Sequence, residues 1–542
     1  MKLFRCCLAL ALMSGCTAPA PTTATLSASS LTPAGGAMAQ PPDAGVKAAS
    51  SPNTCGSLTL SFGATVPADF TLSNQTDADC FAWQEFIALN WPASGSTFGA
   101  PGDLSAVQWQ GYMDDHQLFQ PDAGTPPPWG TPPQISAACQ AEAHLTDAQA
   151  RAVHPLVDAT AFSSQTLDAS GTAEAYPFNA PAWLGDVNGN NVWYEVRIDQ
   201  DEYNFVVQNQ FYDADKQLAF YTNQKPAPTI PLQLPAGCNA TDAGACLRTT
   251  VGAIELKAAW MEVPDPTSTR WNSYKISSAV IVDPSTQKCK AVTVALVAFH
   301  ILHKTQSQPT WVWATFEQKM NAPNAGADAG AEAWNFNGSC AAKKVTVPAA
   351  CQYDAGVVTT SCTPDTPPLY YLGDGCPAPT TTPVTRVTPL DATATSVNGT
   401  VQAAIQGASN GSVWQNYMLV NVVWSNNPPQ IPPACSTPGS QGCQALTGSQ
   451  ITPGLNPSGA AVANSVLETY IQNKSPSNPL AKSNCVLCHD GATVPGNNPN
   501  NYLSDFSFAL GEATSPASSP QAKAPKTTRP RQGARKIRSI FR

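Results

Sequence analysis

The chain has 542 residues, 42% of them apolar and only 12% charged, with 50 Pro, 36 Gly and a net charge of −9. That length can hold two or three domains, but Pro and Gly at this level make a loop-rich body, with about half the usual charge density. Eight basic residues and no acidic ones follow Glu512, so the preceding chain carries about −17 once they are set apart from the net −9; such a body excludes nucleic acid as its partner and leaves only the tail as a basic element.

At the start of the chain, Lys2 and Arg5 precede a short apolar run, Leu8-Ala9-Leu10-Ala11-Leu12-Met13. The run is too short to span a bilayer and has the layout of an export signal. Met13-Ser14-Gly15-Cys16 resembles a bacterial lipobox, and the competing site Ala18-Pro19-Ala20 is followed by Pro21, a poor setting for ordinary cleavage. We therefore expect residues 1–15 to be a lipoprotein signal peptide and Cys16 to carry lipid. Thr17 rather than Asp after the lipidated Cys points to the outer membrane. Residues 16–52, rich in Ala, Pro, Ser and Thr, read as a flexible linker.

A β-rich body is expected over 53–458. Strand signals fall at Val192–Ile198 and Tyr203–Val207, read as a pair joined by an acidic turn, then at Ala253–Trp260, Ala279–Asp283, Lys290–Leu302, Thr310–Phe316 and Tyr417–Trp424. Helical spacing appears at Cys80–Asn90, Gln140–His154 and Ala460–Gln472, with a short helix at Leu503–Leu510. Asp-Ala-Gly recurs at 43, 122, 242, 328 and 354, but its irregular spacing in Pro/Gly-rich surroundings marks loops, and 119–137, 321–332 and 376–397 read as insertions. The expected class is α+β: a loop-rich, disulfide-stapled body with flanking helices, a C-terminal helical segment at 459–512 and a disordered basic tail at 513–542.

The segment at 459–512 contains Cys485-Val486-Leu487-Cys488-His489. Cys-x-x-Cys-His is the attachment signature of c-type haem: two thiols on one turn each form a thioether, and the adjacent His becomes the proximal ligand of the iron. The alternatives are half a zinc site or a thiol redox pair. A four-Cys zinc site needs a second pair at compatible spacing, and a redox Cys-x-x-Cys usually opens a helix in a βαβ unit. The nearest upstream cysteines, Cys435 and Cys443, are eight residues apart, and no βαβ pattern precedes the motif. We expect one covalent haem c on Cys485 and Cys488 with His489 as proximal ligand. Of the 17 cysteines, setting aside Cys6, Cys7, Cys16, Cys485 and Cys488 leaves twelve, an even number suited to disulfides in an oxidising compartment. Cys238–Cys246 and Cys435–Cys443 bracket Gly-containing turns and are the expected local staples.

The residues after His489 include neither Met nor His, so a sixth iron ligand has to come from the body or the position stays open. His300, His303 and Met418 are the distal candidates; His300 and His303 close one strand and point to opposite faces of it. Glu255, Lys257, His300 and Glu317, with Lys304, interrupt apolar strands and are weak catalytic candidates if those strands are neighbours. The bland reading is a polar sheet face with ordinary cross-strand ion pairs.

Several blocks resemble a group of exported bacterial proteins described as cytochrome c family: Phe81-Ala82-Trp83-Gln84-Glu85-Phe86-Ile87-Ala88-Leu89-Asn90-Trp91-Pro92, Glu255–Trp260, His300–Thr305 with Trp311–Glu317, Leu467–Tyr470, and Cys485–His489 with Asp505–Phe508. The resemblance implies one monohaem architecture spanning these blocks, without assigning a reaction. The leading expectation is a lipid-anchored monohaem c-type cytochrome transferring electrons in the cell envelope. Its partner would be a redox protein or small molecule, and its membrane contact the lipid on Cys16. A haem-dependent, peroxidase-like oxidoreductase with an open iron site is the second reading, and a surface binding or scaffold lipoprotein the third.

Overall fold

A computed structural model of the chain describes residues 53–95, 97–156, 183–224, 232–238, 251–283, 286, 288–327, 333–337, 344–346, 348, 358–359, 363–366, 381–425, 428, 462–472, 485–489, 492–498 and 500–517. The expected signal peptide, the linker, the Cys435–Cys443 staple and Cys246 lie outside them. The architecture is mixed helix and antiparallel sheet.

The chain opens with a small hairpin, β1 (Thr54–Cys55) and β2 (Leu58–Thr59), followed by α1 (Gln75–Leu89). Asn74 begins α1 by accepting the Asp77 N–H on its side chain, and every residue from Asp77 to Leu89 is buried. A Cys55–Cys80 disulfide fixes the hairpin to this helix.

Next come β3 (Met113–Asp114), α2 (Asp115–Leu118), α3 (Ala137–Glu142), α4 (Asp147–Ala152) and β4 (His154–Leu156). Helical spacing over 140–154 therefore resolves into two short helices, because Thr146 caps a new start at Asp147. Cys139 of α3 is bridged to Cys289, and Cys238 is also disulfide-bonded.

β5 (Val192–Ile198) is as expected, but its proposed partner is not a strand. Tyr203–Val207 lies within α5 (Gln200–Asn209), because Asp199 accepts the Asp201 and Glu202 N–H groups and turns the acidic stretch into a helix cap. The helix α6 (Ala214–Thr222) follows it.

The remaining strands are β6 (Ile254–Glu262), β7 (Ile276–Val282), β8 (Cys289–His303), β9 (Val312–Gln318), the small pair β10 (Lys344–Val345) and β11 (Val358–Thr359), and β12 (Tyr417–Val423). Eight of these strands form one sheet in the order β12-β9-β8-β6-β5-β3, with β7 beside β8 and β4 beside β7. All of its pairings are antiparallel except β4 with β7.

One sheet face packs against α1 and α7 (Ala392–Ala408), with Trp260, Phe299, Ile301 and Phe316 in that core. Buried Asn398 of α7 accepts from Trp83 Nε1 at 3.0 Å and from the Leu419 N–H at 2.9 Å, joining both helices to β12. The other face is covered by two apolar clusters. One gathers Val466, Leu467 and Tyr470, and the other Val486, Phe506 and Leu510.

Residues 462–472 form turns rather than the expected helix. The Asn464 side chain takes the Val466 and Leu467 N–H groups, and Ser465 is bonded to Glu317, so local side-chain bonds displace the helical pattern. The helix expected at 503–510 is only a 3-10 turn at Ala509–Glu512. The expected tail boundary also moves: Ala513 is buried, and Thr514 bonds to the Gln120 carbonyl and the Ala123 N–H, so the chain remains docked beyond 512.

Candidate functional site

The haem-type motif forms a single helical turn, α8 (Cys485–His489). Residues three apart share a face of such a turn, which is the placement that double thioether attachment requires. Val486 is buried in the same cluster as Ile198, Leu302, Trp313 and Phe506 and anchors the turn on the sheet, while Cys485 and His489 are half-buried.

His489 is held on three sides. Its Nδ1 lies 2.8 Å from the Phe506 carbonyl oxygen, and its ring meets Trp313 and Phe508 edge-on, each at 4.7 Å between centroids. A carbonyl can only accept, so Nδ1 is the protonated nitrogen and donates. Burial, reinforced by His300 and Lys257, pushes the His489 pKa down to about 4, against the opposing pull of the Phe506 carbonyl. The ring is therefore neutral near pH 7, with its lone pair on Nε2. This is how a ligating imidazole is prepared: one nitrogen fixed by a backbone acceptor, the other left as the donor to metal.

The carbonyl that fixes His489 is aimed at some energetic cost. Asp505 and Phe506 are both left-handed, with φ of 57° and 67°, a conformation that costs a non-glycine residue about 1–2 kcal/mol. The Asp505 carboxylate pairs with Lys304 and accepts the Leu234 N–H, and Trp311 Nε1 donates to the Asp505 carbonyl. These contacts hold the bend.

Opposite this turn, the sheet has a break in its cover. Along β5, along β6 and from Val294 to His303 of β8, every residue is buried except Val196, Lys257 and His300. Those three are direct neighbours in register: Val196 pairs with Lys257, and Lys257 with His300. Glu468, Cys485, His489 and Phe508 are half-buried as well. This row of the sheet is therefore less completely covered than the strands around it. The donor set, two thiols and a prepared imidazole on one turn, matches covalent haem.

The other expected site residues separate. His303 faces α1, where Nδ1 contacts the Glu85 carboxylate and Nε2 meets the Val251 carbonyl at 2.7 Å; both ring nitrogens are engaged, on the sheet face away from His489. Met418 pairs with Glu317 on the edge strand, two same-face positions along β9 from Trp313. Neither stands at the motif. Glu317 forms a two-pronged ion pair with Arg386 at 2.9 and 2.7 Å, a structural role. Glu255 is buried beside Glu202 and Ser507. The expected convergence of Glu255, Lys257, His300 and Glu317 thus reduces to Lys257 and His300, with Glu468 Oε1 3.3 Å from His300 Nε2.

Glu468, the Phe506 carbonyl and the aromatic clamp are site features that no spacing in the sequence marks directly. The run Asp505-Phe506-Ser507-Phe508 after the motif was the available signal for the clamp.

Among the described residues, no group of three or more His, Cys, Asp or Glu side chains is placed to hold a metal ion; haem iron needs only one protein ligand from this motif. No family model matches the chain, and no curated protein or solved structure matches it either.

Proposed function

We propose that the chain binds one haem c covalently through Cys485 and Cys488, with His489 as proximal ligand, and works in electron transfer as a lipid-anchored protein of the cell envelope. The observation that carries this reading is the His489 imidazole, with Nδ1 committed to the Phe506 carbonyl and Nε2 left as a neutral donor. Bound there, haem supplies a one-electron couple. The residues around it do the rest: Val486 and Phe506 seat the turn on the sheet, and Trp313 and Phe508 fix the imidazole plane. Lipid on Cys16 would tether the body to the outer membrane, facing a redox partner protein or small molecule.

A second reading, a haem-dependent oxidoreductase with an open iron, is favoured by the half-buried polar pair Lys257 and His300, which could handle protons for a bound substrate. The occupancy of the iron's sixth position separates the two.

The attachment is tested by co-expressing the full chain with a c-type haem maturation system and staining a denaturing gel for haem. Wild type is expected to carry stain, and Cys485→Ser with Cys488→Ser to lose it completely. Equal staining of both would overturn the reading.

A further inference from the structure

We infer that His300 is the second axial ligand, so that the iron is held between two imidazoles, one from α8 and one from β8; the inference rests on the haem reading above and deepens it. His300 is the one half-buried residue between Val294 and His303 of β8, and it lies on the face that also carries Trp313, against which His489 packs. Among the described residues, its buried Nε2 makes no hydrogen bond; Glu468 Oε1, 3.3 Å away, is an ion-pair neighbour out of line for a bond.

A buried polar nitrogen without a hydrogen bond costs about 1–3 kcal/mol, a cost that a metal ion on Nε2 would remove. Imidazole nitrogen is a natural donor to iron. Glu468 is itself held, because Oε2 accepts the Asn464 N–H at 2.6 Å. Its carboxylate therefore stays beside Nε2, where it favours a cationic metal on that nitrogen.

The alternatives on the chain are weaker. His303 is on the opposite face with both nitrogens engaged, and Met418 is on the edge strand beside the Glu317–Arg386 pair. Lys257 pairs with His300 from the neighbouring strand, and a lysine ammonium carries no lone pair for iron.

The test uses the full-length, haem-loaded protein. Wild type is expected to be low-spin in both redox states, with carbon monoxide leaving the reduced spectrum unchanged. His300→Ala should become high-spin and bind carbon monoxide, and added imidazole should restore the low-spin spectrum, which a merely structural defect would not allow. If His300→Ala does not mature, electron paramagnetic resonance of the oxidised wild type decides: a bis-imidazole signal supports the assignment, and any other ligand signature overturns it. A wild type that binds carbon monoxide, or a low-spin His300→Ala without added imidazole, would also overturn it while leaving covalent attachment intact. Wild type without covalent haem would overturn the underlying reading as well.

Discussion

Replacing Arg386 with Met is expected to destabilise the protein by about 3–5 kcal/mol, because it leaves the Glu317 carboxylate charged and unpaired in the core. Burial alone would push the Glu317 carboxyl up, but Arg386 and two bonds from Ser465 reverse this and hold it below the usual range. The carboxylate meets Arg386 at 2.9 and 2.7 Å and takes the Ser465 N–H at 2.7 Å and Oγ at 2.6 Å. This pair therefore pins the 462–472 segment, which carries Glu468, to β9. The pair's contribution is present above the ordinary Glu pKa near 4.5 and is lost as pH falls through the lower folded value. Chemical denaturation at pH 7 and pH 3 measures both effects. The double variant Arg386→Met with Glu317→Gln should recover a large part of the loss. A single variant within 1 kcal/mol of wild type, on the scale of an exposed pair, would show that the pair does not pin the segment.

Glu255→Gln is expected to act in the opposite direction and stabilise the protein. Burial pushes the Glu255 carboxyl up to about 7, against bonds from Ser507 and Glu202 that pull it down, and the Asp505 charge adds to the rise. Its partner Glu202 is completely buried and also shifted upward, first by burial and then by the charges of Glu255 and Asp199. Below about pH 4.5 both folded and unfolded chains hold the Glu255 proton, and the site contributes nothing. As pH rises, the unfolded chain releases that proton first, and the folded state loses stability until about pH 7. The accumulated penalty is on the order of 3 kcal/mol at 1.36 kcal/mol per pKa unit. Gln at 255 cannot ionise, so the variant should be more stable than wild type at pH 8 and indistinguishable from it at pH 4. Equal stability at pH 8 would show that folding does not raise the Glu255 pKa.

Much of the sheet was legible because its strands are long apolar runs with β-branched and aromatic residues. Ile254–Glu262, Cys289–His303 and Tyr417–Val423 fall close to where composition places them. The opposite orientation of His300 and His303 followed from strand alternation and is what the register gives. Tyr203–Val207 misled because Tyr, Phe and Val have strand propensity, while the deciding signal was the Asp199 cap four residues earlier. Only Ala392–Val397 of α7 falls within the insertion expected at 376–397, and the helix has little sequence signal because Ala392–Ala408 is rich in Ala and Thr and contains two glycines. Its burial depends on Asn398, whose partners Trp83 and Leu419 are distant in sequence or on another element. At the site, the turn Cys485–His489 was visible from spacing alone. The Phe506 carbonyl was not, because a backbone acceptor has no sequence signature, and the left-handed Asp505–Phe506 bend that aims it rests on contacts from Lys304, Leu234 and Trp311.

The most direct test of the account is acid–acetone extraction of the purified, maturation-assisted full chain, with reduced pyridine spectra taken of the pellet and the extract. The account requires one haem per chain to stay with the polypeptide and to give the spectrum of a haem joined by two thioethers. Haem recovered wholly in the extract, or no haem on a chain that folds, would contradict it and return Cys485, Cys488 and His489 to thiol or metal chemistry.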